Sequence, residues 1–267
     1  MGLVRRAAVA GSFYPSQGDE LGRTIGNLLM DCRQEARLPL PPKALIVPHA
    51  GYVYSGAVAA SAYALLRPLH AEISRVVLLG PVHRVPISGL ALPGGEAFAT
   101  PLGTVPLDLA LCKKLEALPQ VSVNPSAHAL EHSLEVQLPF LQRVLDHFTL
   151  VPLAVGDASA EQVAEVLEQA WGGSETLIVI SSDLSHYLPY PLARRVDQDT
   201  ALTILELSQQ FGHQQACGAT PIHGLLRAAQ QHQLQPHLLD IRNSGDTAGD
   251  KERVVGYASF AFCESPK

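Results

Sequence analysis

Five short apolar runs punctuate this chain: "ALIV" (44–47), "RVVLLG" (75–80), "LVPLAV" (150–155), "TLIVIS" (176–181) and "VVGYASFAF" (254–262). They are rich in β-branched residues, carry no charge in their interiors and are bounded by Gly, Pro or Asp. That is the signature of strands covered on both faces. Between them lie stretches with helical periodicity at 18–36, 55–69, 131–147, 159–171, 192–209 and 221–233. Ser159 stands at an N-cap position with Gln162 at the capping-box position. Alternating strands and helices predict an α/β fold with a mostly parallel or mixed central sheet flanked by helices. "ISGLALP" (87–93) and "GTVPLD" (103–108) read as an antiparallel pair inserted around "GGEAFATP". No repeat, low-complexity tract or linker interrupts the pattern, so residues 1–267 are expected to form a single domain.

Composition narrows the function. The chain is 47% hydrophobic and only 16% charged, enough apolar material for a large core. Its formal net charge is −6 with no basic block, which argues against nucleic acid as the main ligand. Cys32, Cys112, Cys217 and Cys263 are far apart and form no C-x-x-C, a pattern that suits a reducing compartment. The opening "MGLVRRAAVAGSFYP" is too short in its apolar run for a secretion signal, and no run reaches a membrane span. A cytoplasmic protein without a membrane partner is expected.

In open α/β sheets, ligands sit beyond the carboxyl ends of the strands. Those positions hold His49 after the first run, His83 after the second, and Gly156 and Asp157 after the third. "SDLSHY" follows the fourth and brings Ser182, Asp183, Ser185 and His186; "DIRNSGDTAGD" precedes the fifth with Asp240, Asn243, Ser244, Asp246 and Asp250. Taken singly, each has a plain reading: a surface histidine, a helix cap, a turn. Their convergence on one sheet edge points to a site. Neutral imidazoles with an oxygen ligand suit non-haem iron or zinc. His49 and His83 are the candidate ligands, with His186 as a general base oriented by Asp183. Tyr52 and Tyr54 are expected to wall the pocket.

Two other motifs compete. His128, Glu131 and His132 spell H-x-x-E-H, the inverted zinc-peptidase pattern, provided a helix carries them. On the alternative reading His132 faces the sheet edge as a site residue. Ser182, Asp183 and His186 are too close in sequence for a hydrolase triad, and no G-x-S-x-G elbow exists.

Taken together, "AAVAGSFYP", "VPHAGYVYSG", "LLGPVH", "EHSLEVQLPFLQ", "SSDLSHY", "CGATP" and "NSGDTAGD…VVGYASFAF" resemble, in this order, the Memo family, over almost the whole chain. The resemblance implies the single-domain fold of the class III extradiol ring-cleaving dioxygenases. It implies that His49 and His83 match the family's histidine ligands, His186 the dioxygenase base and Asp183 its pocket neighbour, with His132 on a pocket-lining helix. At the third ligand position it implies Ser244, where the eukaryotic member has a cysteine and the dioxygenases a glutamate; Asp246 or Asp250 could supply an oxygen from the same loop. Serine is a poor ligand for iron, copper or zinc, so the expectation divides. Either iron(II) or copper serves redox chemistry on a small phenolic substrate, or a metal-free pocket binds an anion or a phosphopeptide.

Overall fold

The computed structural model describes residues 3–32 and 38–265. Its strands are β1 (Val4–Arg5), β2 (Pro42–Val47), β3 (Arg75–Pro81), β4 (Leu90–Leu92), β5 (Ala97–Thr100), β6 (Gly103–Pro106), β7 (Val121–Val123), β8 (Thr149–Val155), β9 (Thr176–Ser181), β10 (His186–Leu188), β11 (Gln235–Asn243) and β12 (Val254–Cys263). The α-helices are α1 (Gly18–Asp31), α2 (Tyr52–Tyr63), α3 (Leu109–Leu115), α4 (Pro125–Ala129), α5 (Leu138–Val144), α6 (Ala160–Ala170), α7 (Tyr190–Leu205) and α8 (Ala219–Gln231).

A nine-stranded sheet runs in the order β10-β12-β2-β9-β3-β8-β4-β7, with β11 also paired to β12. Its centre is parallel: β2 pairs with β9, and β3 lies between β9 and β8. Antiparallel pairings of β12 with β2 and of β4 with β8 complete the mixed sheet. Along β2 the side chains alternate between the two faces. Leu45 and Val47 join a core with Leu21, Ala60 and Phe140, from α1, α2 and α5. Ala44 and Ile46 join a second core with Val163, Ala201 and Leu225, from α6, α7 and α8. Helices α6 and α8 meet closely at Gly224, where a β-carbon would stand 2.2 Å from Val163 Cγ1.

All five expected strands form, each within two residues of its expected bounds. Ser159 and Gln162 make the reciprocal capping box that starts α6. Two expectations are corrected. Residues 87–93 and 103–108 do not pair with each other: β4 joins the main sheet, while β6 folds back on β5 through a two-residue turn in a small sheet with β1. That short closure loses less chain entropy than the longer connection. The expected helix over 131–147 begins only at Leu138, after a 3₁₀ turn at Glu135–Gln137. Pro139 lacks the amide an interior helical position needs and is accommodated in the first turn. The helix expected at 18–36 forms over Gly18–Asp31, and positions 33–36 of that expectation lie outside the described residues. Strand β11, which carries little alternation in its sequence, was not anticipated and lies at an edge of the sheet.

Candidate metal centre

The parallel strands β2, β3 and β9 end at one edge, and the loops beyond them carry the site. His49 leaves β2, His83 follows β3, and Asp183 follows β9, while His132 comes from the loop between α4 and α5. The ring centroids of His49, His83 and His132 lie 4.7–5.4 Å apart. One ring nitrogen from each falls within 4.8 Å of the others, close enough to share one metal ion. Together they face a cavity of about 620 Å³ whose walls include Phe13, Tyr54, Asp183, His186 and Tyr257.

Each imidazole is anchored from behind. Glu131, buried to 2% exposure, accepts the His83 ring through Oε1 at 2.9 Å and the His83 amide through Oε2. The same Oε1 accepts the amides of His132 and Ser133, both at 2.9 Å, and lies 3.3 Å from His132 Nδ1. Burial pushes the Glu131 carboxyl up, but hydrogen bonds from the His132 and His83 side chains and the Ser133 amide outweigh it and hold it well below the usual carboxylate range. A carboxylate behind a metal-facing imidazole fixes ring orientation and strengthens the donor nitrogen.

His49 is the most deeply set, at 2% exposure, with its amide on Asp183 Oδ1 at 2.7 Å and its Nδ1 2.9 Å from Ser181 Oγ. Burial holds its pKa well below the ordinary imidazole value, and neighbouring His83 and His132 push the same way. A neutral imidazole is the form that donates to a metal. Burial also raises the Asp183 carboxyl, opposed by the His49 amide and by the imidazoles of His186, His132 and His83.

Ser244 stands in the pocket wall with its hydroxyl accepting the Val255 amide at 3.1 Å. The thiol that reaches the imidazoles belongs to Cys217, whose sulfur lies 3.4 Å from His49 Nε2. Burial and the nearby Asp183 push this thiol up to about 12, so it is protonated at neutral pH. Sequence reading gave Cys217 no role, although it heads the "CGATP" stretch. Only its place before a helix entering the same sheet edge could have singled it out.

The other candidates occupy distinct places. His186 borders the cavity, half-buried, beside Tyr187. Tyr54 and Asp250 also border it. Tyr52 turns inward and donates its hydroxyl to Val136 O at 2.8 Å. Asp246 bonds the Asn243 amide and the Tyr190 hydroxyl. His128 is buried against Phe98 with Nε2 on Ala91 O at 2.7 Å. Since α4 stops at Ala129, His128 and His132 share no helix and the inverted peptidase geometry does not form.

Comparison with known proteins identifies the family. A family model described as "Memo: Memo-like protein" matches residues 5–261. A "MEMO1 family protein" of Aquifex aeolicus is 38% identical over 97% of this chain and 99% of its own. One from Metallosphaera sedula is 33% identical over 98% of this chain and 100% of its own. The crystal structure of an uncharacterized Escherichia coli K12 protein superposes with a TM-score of 0.54 at 14% identity, covering 81% of this chain and 98% of that one. This likeness is one of fold.

Proposed function

The chain belongs to the Memo family, and from that premise we propose that it is a metal-dependent protein carrying out dioxygenase-like redox chemistry on a small phenolic substrate. The observation that carries the reading is the convergence of one nitrogen each from His49, His83 and His132 within 4.8 Å. The donor set fits a first-row transition metal, because neutral imidazoles suit iron, copper and zinc. Iron(II) or copper is the expected ion. When bound, such a metal supplies a Lewis-acid and redox centre.

This chain's own side chains would do the remaining work. His49, His83 and His132 hold the ion, and Glu131 keeps two of the rings in place. His186 borders the same cavity and is the candidate to take a proton from a phenolic hydroxyl and return it. Asp183, held by the His49 amide, adds a carboxyl beside the imidazoles. Phe13, Tyr54 and Tyr257 offer aromatic walls to a ring-shaped substrate. The four free cysteines fit the cytoplasmic setting expected from the sequence.

Arg84 and Arg253 on the cavity wall favour a second reading, in which the pocket recognises an anion or a phosphopeptide without turnover. Metal content decides between them. Untagged protein purified anaerobically is compared with His49→Ala by mass spectrometry, followed by oxygen uptake with catechols. Near-stoichiometric iron or copper that vanishes in the variant supports the redox reading. No metal in either protein, and no uptake of added iron(II), sinks it.

A further inference from the structure

We infer that Ser181, locked by Gln137, is a positioning residue that fixes His49 in the tautomer with the proton on Nδ1 and a bare lone pair on Nε2. Two backbone carbonyls, which can only accept, set the direction of these bonds. Gln137 reaches Pro48 O with Nε2 at 2.9 Å, so its amide cannot be flipped without setting oxygen against oxygen. Its Oε1 then accepts the Tyr63 hydroxyl at 2.8 Å, and its Nε2 also donates to Ser181 Oγ at 2.8 Å. Ser181 owns one proton and lies 2.6 Å from Ser133 O, so that proton goes to the carbonyl. One lone pair of Ser181 is taken by Gln137. The other faces His49 Nδ1 at 2.9 Å.

With its own proton committed, Ser181 can only accept from His49, so Nδ1 must be the N–H. The opposite nitrogen, Nε2, points to the Cys217 sulfur, next to the other imidazoles. Tyr63, Gln137 and Ser181 are all fully buried, so no water competes for these bonds. An unconstrained neutral imidazole populates both tautomers. Here the ring is set to donate from Nε2 before any ion arrives. Glu131 does the same for His83 by charge, whereas His49 is set by a neutral relay running in from the core.

The metal-affinity consequence rests on the proposed metal-dependent function; the tautomer itself does not, and the test separates them. Long-range ¹H–¹⁵N spectra of metal-free, ¹⁵N-histidine-labelled protein report which nitrogen of each ring is protonated. His49 is expected to show a protonated Nδ1 and an unprotonated Nε2; the reverse pattern in the wild-type protein overturns the inference, whether or not any variant folds. In Ser181→Ala the tautomers should redistribute, while Tyr63→Phe, two bonds upstream, should leave the His49 pattern unchanged. A Ser181→Ala spectrum identical to wild type also overturns it. In titrations with iron(II) alone, Ser181→Ala should bind about 10–100-fold more weakly than wild type. A wild-type protein that shows the expected tautomer but takes up no metal counts against the proposed function and leaves the positioning role standing.

Discussion

Glu131 grips His83 twice, taking its backbone amide on one carboxylate oxygen and its ring Nδ1–H, at 2.9 Å, on the other. The residue that completes an apparent peptidase motif in the sequence is therefore not a base facing the cavity. It is a buried anion behind two of the three imidazoles, and every group around it donates.

That arrangement makes the charge indispensable. Glu131→Gln presents an amide N–H₂ to at least one group that is itself a donor. The variant is expected to lose at least about tenfold in metal affinity, in keeping with the usual effect of removing a carboxylate behind a ligating histidine. Iron(II) titration of the folded variant measures it. Unchanged affinity would show that the carboxylate does not orient the rings.

If the three imidazoles share an ion, that ion binds the folded chain and should stabilise it by mass action. At a free concentration 100 times the dissociation constant the gain is about 2.7 kcal/mol. His49→Ala and His83→Ala should each abolish the metal-dependent rise in thermal midpoint, as measured by calorimetry with and without iron(II). A rise of equal size in both variants would put the ion elsewhere.

A second buried carboxylate braces the segment that carries His132. Glu135, fully buried, pairs with Arg5, accepts the amides of Ala8 and Val9 and takes the Tyr14 hydroxyl. Arg5 in turn donates to the carbonyls of His128 and Glu131, tying the N-terminal segment to the loop that carries His132. Glu135→Ala leaves the Arg5 charge without its partner and should cost about 3–5 kcal/mol. Urea unfolding is the measurement, and a loss under about 1 kcal/mol would mean that the network does not hold the segment.

The strands were legible because β-branched runs free of charge mark themselves, and parallel strands that end at one edge bring His49, His83 and Asp183 together by rule. His186 borders the same cavity from β10, which pairs with β12 at the side of the sheet. The loop carrying His132 was hidden by helical spacing that Pro139 interrupts. Cys217 was illegible for another reason. It meets His49 across 168 positions of chain, and no local period records such a contact. The Arg5–Glu135 pair, 130 positions apart, was hidden in the same way. Strand β6 was found but its partner was not, because short strands pair by turn geometry, to which apolar patterning is blind.

Asp197 gives the fold a pH dependence whose sign can be worked out. It sits on α7 at 2% exposure, with Oδ1 accepting the Ser185 amide at 3.0 Å and Oδ2 buried without a partner among the described residues. The β12 backbone presses on it at Gly256, where a β-carbon would stand 2.1 Å from Oδ2. Burial raises its pKa from 3.8 to about 6, against the smaller opposing effect of the Ser185 hydrogen bonds. A raised acid binds its proton more tightly in the folded chain than in the unfolded one. Its contribution is therefore most favourable below about pH 4, declines as pH rises through about 6, and is flat above that. A carboxyl pKa raised from 3.8 to about 6 corresponds to about 3 kcal/mol between the two plateaus. Asp197→Asn keeps an oxygen for the Ser185 amide and removes the titration. Subtracting the variant's stability-versus-pH curve from that of the wild type should leave a descending step between pH 4 and 7. The variant should be the more stable protein at pH 7.5. A flat difference, or a step that ascends with pH, would show that Asp197 is ionised at no cost in the folded state and that its partnerless oxygen is satisfied after all.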